Sequence, residues 1–124
     1  ETIDVSVCVT INALNVYYLP EIFSYLDSLG MHYYVNFLHG PPYYNIRNIR
    51  ESVKDKVRHK YDNFEGTTHS KENLKKVSDF MFGHISTQKK WDEFLDHTKR
   101  KDDYRNENFS KVFPEWDRAI NEDY

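Results

Sequence analysis

The sequence predicts a mixed α/β fold: a strand–helix–strand unit at the head of the chain, then a helical second half. Three observations predict it. A period-2 apolar run opens the chain, a helix-periodic stretch bounded by Pro20 and Gly30 follows it, and a second short apolar run stops at His39-Gly40-Pro41-Pro42. Beyond that turn, apolar residues recur at helical rather than strand spacing.

In the first run, Ile3, Val5, Val7, Val9 and Ile11 alternate with Asp4, Ser6, Cys8, Thr10 and Asn12. One face is strongly β-branched, and the other is small and polar. Pro20 suits the first helical turn, where its missing N–H costs no hydrogen bond. Ile22, Phe23, Leu26 and Leu29 then form the helical stripe, and Gly30 is placed to end it. Tyr33 to Leu38 reads as the second strand. Two strands joined through a helix run parallel. Parallel sheets need neighbouring strands and cover on both faces. No further strand pattern follows, so the rest of the sheet is expected from residues before Glu1 of the same polypeptide, or from another chain.

In the second half, Asn48 with Glu51 has the spacing of a capping box. Ile49, Val53, Val57 and Tyr61 make the buried stripe of that helix, and the segment from Lys54 to Lys60 is expected to be its solvated basic face. Ser70 is a candidate cap for a third helix carrying Leu74, Val77 and Met81 and ending at Gly83. Ser86 or Thr87 can cap a fourth, with Trp91, Phe94, Leu95 and Thr98. Phe109, Phe113 and Trp116 are anchors for the last turn or short helix.

Composition excludes several functions. The 17 basic and 20 acidic residues give a formal charge of −3, so nucleic-acid binding by bulk electrostatics is not expected. The apolar runs are too short to span a bilayer, no signal peptide is evident, and no membrane partner is expected. Cys8 is the single cysteine. It cannot form an internal disulfide and fits a cytoplasmic location. Lying among valines without an adjacent base, it reads as a buried structural thiol. The six His residues show no i, i+4 metal pair, and neither a phosphate loop nor a serine elbow is present.

Ligands of open α/β sheets bind beyond the C-terminal ends of the strands. That rule selects Thr10, Asn12 and Asn15 after the first strand, and Asn36, His39 and the Gly40-Pro41-Pro42 turn after the second. The competing role for Asn15 is to hold the turn, and for His39 to lie in a loop.

Val7-Cys8-Val9-Thr10-Ile11-Asn12-Ala13-Leu14-Asn15-Val16, followed by Leu19-Pro20-Glu21-Ile22, resembles a late-barrel strand and helix of radical SAM proteins. Asn36-Phe37-Leu38 with Pro41-Pro42-Tyr43-Tyr44-Asn45-Ile46 is similar to the next strand in their twitch-type branch, which includes phage and marine bacterial proteins. Tyr104-Arg105-Asn106-Glu107-Asn108-Phe109 and Val112-Phe113-Pro114-Glu115 resemble the ending of such chains. The family's signature, C-x-x-x-C-x-x-C, is not in this sequence.

The resemblance implies that residues 1–47 are the βαβ end of a partial parallel (β/α) barrel and residues 48–124 its helical C-terminal extension. The parent protein would bind S-adenosylmethionine and a [4Fe–4S] cluster and cleave the former reductively to a 5′-deoxyadenosyl radical. Thr10, Asn12 and Asn15 would lie near the ribose or methionine part, and Leu38 and His39 near the adenine. The chain would supply cofactor wall but no cluster ligands, so no catalysis is expected of it in isolation. Its substrate is not readable from the sequence. The implied partner is the N-terminal barrel half of the same polypeptide. The alternative is a non-enzymatic interaction module that completes its sheet with a partner protein.

Overall fold

A computed structural model describes residues 5–121. The predicted contribution of Ile3 and Asp4 to the first strand lies outside them. Strand β1 spans Ser6–Ile11 and β2 spans His32–Phe37, with helix α1 (Leu19–Ser28) between them. The two strands pair in parallel, from Ser6 opposite His32 to Ile11 opposite Phe37. Leu38 lies one residue beyond β2, yet its N–H still donates to the Ile11 carbonyl at 3.0 Å. The helices that follow are α2 (Glu51–Asp62), α3 (Thr68–Phe82), α4 (Gln88–Arg105), the single turn α5 (Phe109–Val112) and α6 (Pro114–Asn121). The fold is thus mixed α/β and mostly helical, with a two-stranded open sheet. Among the described residues no helix is long and apolar enough to cross a membrane.

The period-2 alternation works as expected on β1. Val9 and Ile11 are buried and Val7 half-buried, whereas Ser6, Cys8 and Thr10 are exposed. On β2, Tyr33 is buried and Val35 and Phe37 half-buried, whereas His32, Tyr34 and Asn36 are exposed. The covered face packs on α1 and α3: Tyr33 stacks on Phe23 of α1 with ring centroids 4.7 Å apart, and Phe37 on Phe80 of α3 at 4.0 Å. The other face is open. Cys8 therefore departs from the expected buried thiol and is exposed, because the parity of the strand places it on the uncovered side.

Polar groups bind α1, β2 and α3 together. The Ser70 hydroxyl donates to Asp27 Oδ2 at 2.6 Å and lies 2.6 Å from the Tyr33 hydroxyl. Thr67 also donates to Asp27, at 3.0 Å. Ser70 is therefore not the cap of α3. That position belongs to Thr67, whose side chain accepts from the Ser70 N–H, while Ser70 sits buried inside the first turn. The capping box also fails to form. Arg50 occupies the N-cap of α2, Asn48 turns to donate to the Pro42 carbonyl, and Glu51 accepts instead from Lys54 and from the Ser86 N–H. Thr87 does cap α4, and Gly30 takes φ +65, a conformation cheap only for glycine.

One core cluster runs from Val9, Ile11 and Tyr33 through Val53, Val57 and Met81 to Trp91, Phe94 and Trp116, so it draws on both sides of residue 47. Trp116 is fully buried in this cluster, and Phe109 and Phe113 are half-buried against the cluster. Leu29, at the C-cap of α1, and Leu95, inside α4, are assigned to buried stripes by spacing but are 56% and 38% exposed.

The basic segment of α2 is not simply a solvated face. Lys54 is fully buried, with its ammonium 2.8 Å from both Glu51 Oε1 and the His84 carbonyl. Lys56 donates to the Ala119 carbonyl at 2.7 Å, and Lys60 to the Tyr17 carbonyl at 2.6 Å. Long aliphatic stems let these side chains cross apolar ground and end on carbonyl oxygens.

Candidate functional site

The open face of the sheet and the loops at its C-terminal end make the candidate site. Parallel register sets Ser6 beside His32, Cys8 beside Tyr34 and Thr10 beside Asn36, all on the uncovered side. The result is a polar wall of hydroxyl, thiol, imidazole, phenol and amide groups. Hydrogen bonding with the Cys8 sulfur, followed by its charge and by burial, raises the Tyr34 phenol above its ordinary value.

Beyond β1 the chain closes on a pair of asparagines. Asn12 Oδ1 accepts from the N–H groups of Leu14, at 2.8 Å, and Asn15, at 3.2 Å. Asn15 Oδ1 accepts in return from the Asn12 N–H at 3.0 Å, and its amide donates to the Thr10 carbonyl at 2.8 Å. This local bonding is what short Asn side chains offer a backbone leaving a strand. Asn12 and Asn15 thus hold the turn and bring Thr10 into a fixed position.

Beyond β2, Leu38 is half-buried and His39 exposed, with the His39 ring edge-on to Phe80 at 5.7 Å. The His39 carbonyl accepts from the Asn45 amide at 3.4 Å. Arg47 donates through Nε to the Phe80 carbonyl at 3.1 Å and places its guanidinium 3.9 Å from the centroid of that ring. The two strand-end loops meet where the Ala13 N–H donates to the Tyr44 carbonyl at 2.9 Å. Thr10, Asn12, Asn15, Asn36, Leu38 and His39 therefore lie at one end of the sheet. Thr10 presents its side chain on the open face, whereas Asn12 Oδ1 and both polar atoms of the Asn15 side chain are occupied within the turn.

Tyr34 and His32 were not selected from sequence. Their parity against β1 depends on the pairing register, which the alternation of either strand alone does not give. Cys8 was assigned the opposite environment for a different reason: alternation puts it on the small polar face, and only the packing of the helices on the other side leaves that face open. Chemically, the wall can hydrogen-bond a polar ligand and present one aromatic ring to it. Among the described residues, no group of three or more His, Cys, Asp or Glu is placed to hold a metal ion.

A separate groove of about 710 Å³ lies between α2 and the Tyr17 region, lined also by Lys56, His59 and Lys60. Lys56 and Lys60 there already serve protein carbonyls.

No protein-family profile matches the chain, and neither the curated proteins nor the solved structures include a significant match to it.

Proposed function

We propose that this chain supplies late strands of a larger parallel sheet, a partial (β/α) barrel in a radical SAM-like parent, and forms part of its S-adenosylmethionine and substrate wall. One observation carries the proposal: a parallel strand pair with one face packed by helices and the other face left open and polar. Parallel sheets are ordinarily covered on both sides. The inner side of a barrel that holds a polar cofactor is an environment suited to Ser6, Cys8, Thr10, Tyr34 and Asn36.

The residues fit a share of such a site and not the whole of it. Cys8 is the single cysteine, and one thiolate does not hold an iron–sulfur cluster, so the ligands of a [4Fe–4S] group would have to come from elsewhere in the proposed parent. Thr10 and Asn36 have side chains on the open face to contact S-adenosylmethionine. Asn12 and Asn15 act by shaping the turn, and Leu38 and His39 border the same end of the sheet. S-adenosylmethionine with a reduced cluster supplies radical chemistry. The chain's own part is to bind, orient and exclude water.

The test is S-adenosylmethionine affinity in the longer polypeptide with its cluster reconstituted without oxygen, before and after Thr10→Val and Asn36→Ala. A severalfold loss is expected. Unchanged affinity, or an upstream region without C-x-x-x-C-x-x-C, removes the proposal. It would then favour a non-enzymatic module whose open strand edges are completed by a partner protein.

A further inference from the structure

His97 lies on α4 with its ring against the turn formed by residues 42–44. Its centroid is 4.3 Å from that of Tyr43 and 5.5 Å from that of Tyr44. Nε2 is buried and has no hydrogen-bond partner, and the neighbouring Thr98 Oγ1 is in the same condition. A neutral imidazole tolerates this position by carrying its proton on Nδ1. An imidazolium must place a charged N–H at Nε2, where nothing accepts it.

The turn that His97 supports is connected to both strand ends. The Tyr44 carbonyl accepts from Ala13 in the loop after β1, the Tyr44 N–H donates to Pro41, and Asn48 donates to Pro42. Whatever holds Tyr43 and Tyr44 on α4 therefore holds the mouth of the open face.

We infer that His97 is an acid-sensitive latch: protonation of its ring releases the Tyr43–Tyr44 turn from α4 and loosens both loops at the C-terminal end of the sheet. The groups around the ring favour this behaviour. On α4 itself, Glu93, Asp96 and Arg100 line the same hollow, and the Lys101 ammonium lies 5.7 Å from the Tyr44 ring centroid. The turn contributes the two uncharged phenols. Burial, then the positive charges of Lys101 and Arg100, hold the imidazole below its ordinary range, against a smaller opposing pull from Asp96. The sign follows: closure favours the neutral ring, so the latch is fully closed above the ordinary histidine pKa and weakens as pH falls below it. The device operates irrespective of which ligand the open face takes.

The experiment is hydrogen exchange of the Ala13 and Tyr44 amides near pH 7.5 and pH 5.5, normalised for intrinsic rates, in the wild-type chain and in His97→Gln. Each unit by which closure lowers the imidazole pKa increases opening in acid by about tenfold. Wild type is expected to lose protection at these amides on acidification, and His97→Gln to show a flat response. An equal acid response in both proteins, or none in wild type, overturns the latch. If His97→Gln does not fold, NMR titration of the wild-type ring decides: a midpoint below the ordinary 6.5 supports the latch, and one at or above it overturns it.

Discussion

The Trp116 indole N–H donates to the Ala13 carbonyl at 2.9 Å, joining residues 103 apart in sequence. Ala13 begins the turn after β1, and its own N–H serves Tyr44. Trp116 also stacks on Tyr17 at 5.3 Å, and Lys60 lies 3.9 Å from the centroid of the same Tyr17 ring. The far end of the chain is thereby built into the support of the strand-end loops.

Trp116→Ala is expected to destabilise the chain by about 3–5 kcal/mol, the usual range for emptying a large buried aromatic position. Trp116→Phe should restore part of that packing and none of the hydrogen bond. Urea unfolding of the three proteins checks the order. Equal stability of the Phe variant and wild type would show that the Ala13 bond contributes nothing.

Ser70→Ala removes the link between Asp27 and Tyr33. It leaves a buried phenol without its nearest partner, at a cost of about 1–3 kcal/mol. Thermal unfolding of the variant reads the effect directly, and an unchanged midpoint would contradict it.

Glu51→Gln leaves the buried Lys54 ammonium with the His84 carbonyl but without its carboxylate, a loss of about 2 kcal/mol. Burial works to raise the Glu51 pKa. Hydrogen bonding from Lys54 and Ser86 outweighs it, so the folded-state value lies below the ordinary 4.5. The corresponding stability is complete above that value and declines as pH falls through the lowered one. Stability profiles of wild type and Glu51→Gln should therefore converge in acid.

On the alkaline side, burial pushes the Tyr18 phenol up to about 12, with the Glu115 carboxylate adding to the rise and backbone N–H groups opposing it. A raised phenol contributes stability that is intact below pH 10 and lost as pH climbs toward the folded-state value. Ultraviolet titration should show a late-ionising group of phenols that includes Tyr18 and Tyr61, and Tyr18→Phe should reduce that late step by one tyrosine without abolishing it.

Cys8 is expected to react stoichiometrically with a disulfide reagent in the native chain, without denaturant, because it stands on the open face. In the proposed radical SAM-like parent, the same thiol would become protected once the barrel encloses that face. Equal reactivity in both would mean that the face stays open.

The strand–helix–strand order was legible because it rests on local physics. Alternation at period two set the inner face of β1, Pro20 and Gly30 bounded α1, and the Pro41-Pro42 pair stopped β2. The stripes through Val57, Val77 and Phe94 were legible for the same reason, since helical spacing alone puts them on one side. What the sequence could not determine was which partner each polar group would find. Asn48 and Glu51 had the spacing of a cap, yet Pro42, Lys54 and Ser86 took their hydrogen bonds. Lys54 looked solvated and is buried, because a carbonyl 30 residues away accepts a hydrogen bond from its ammonium. Cys8 and Tyr34 became neighbours on the open face through the register of two strands, a relation no single strand encodes. Local periodicity determined the elements. Only long-range pairing, which requires the elements to be docked, decided the composition of the wall.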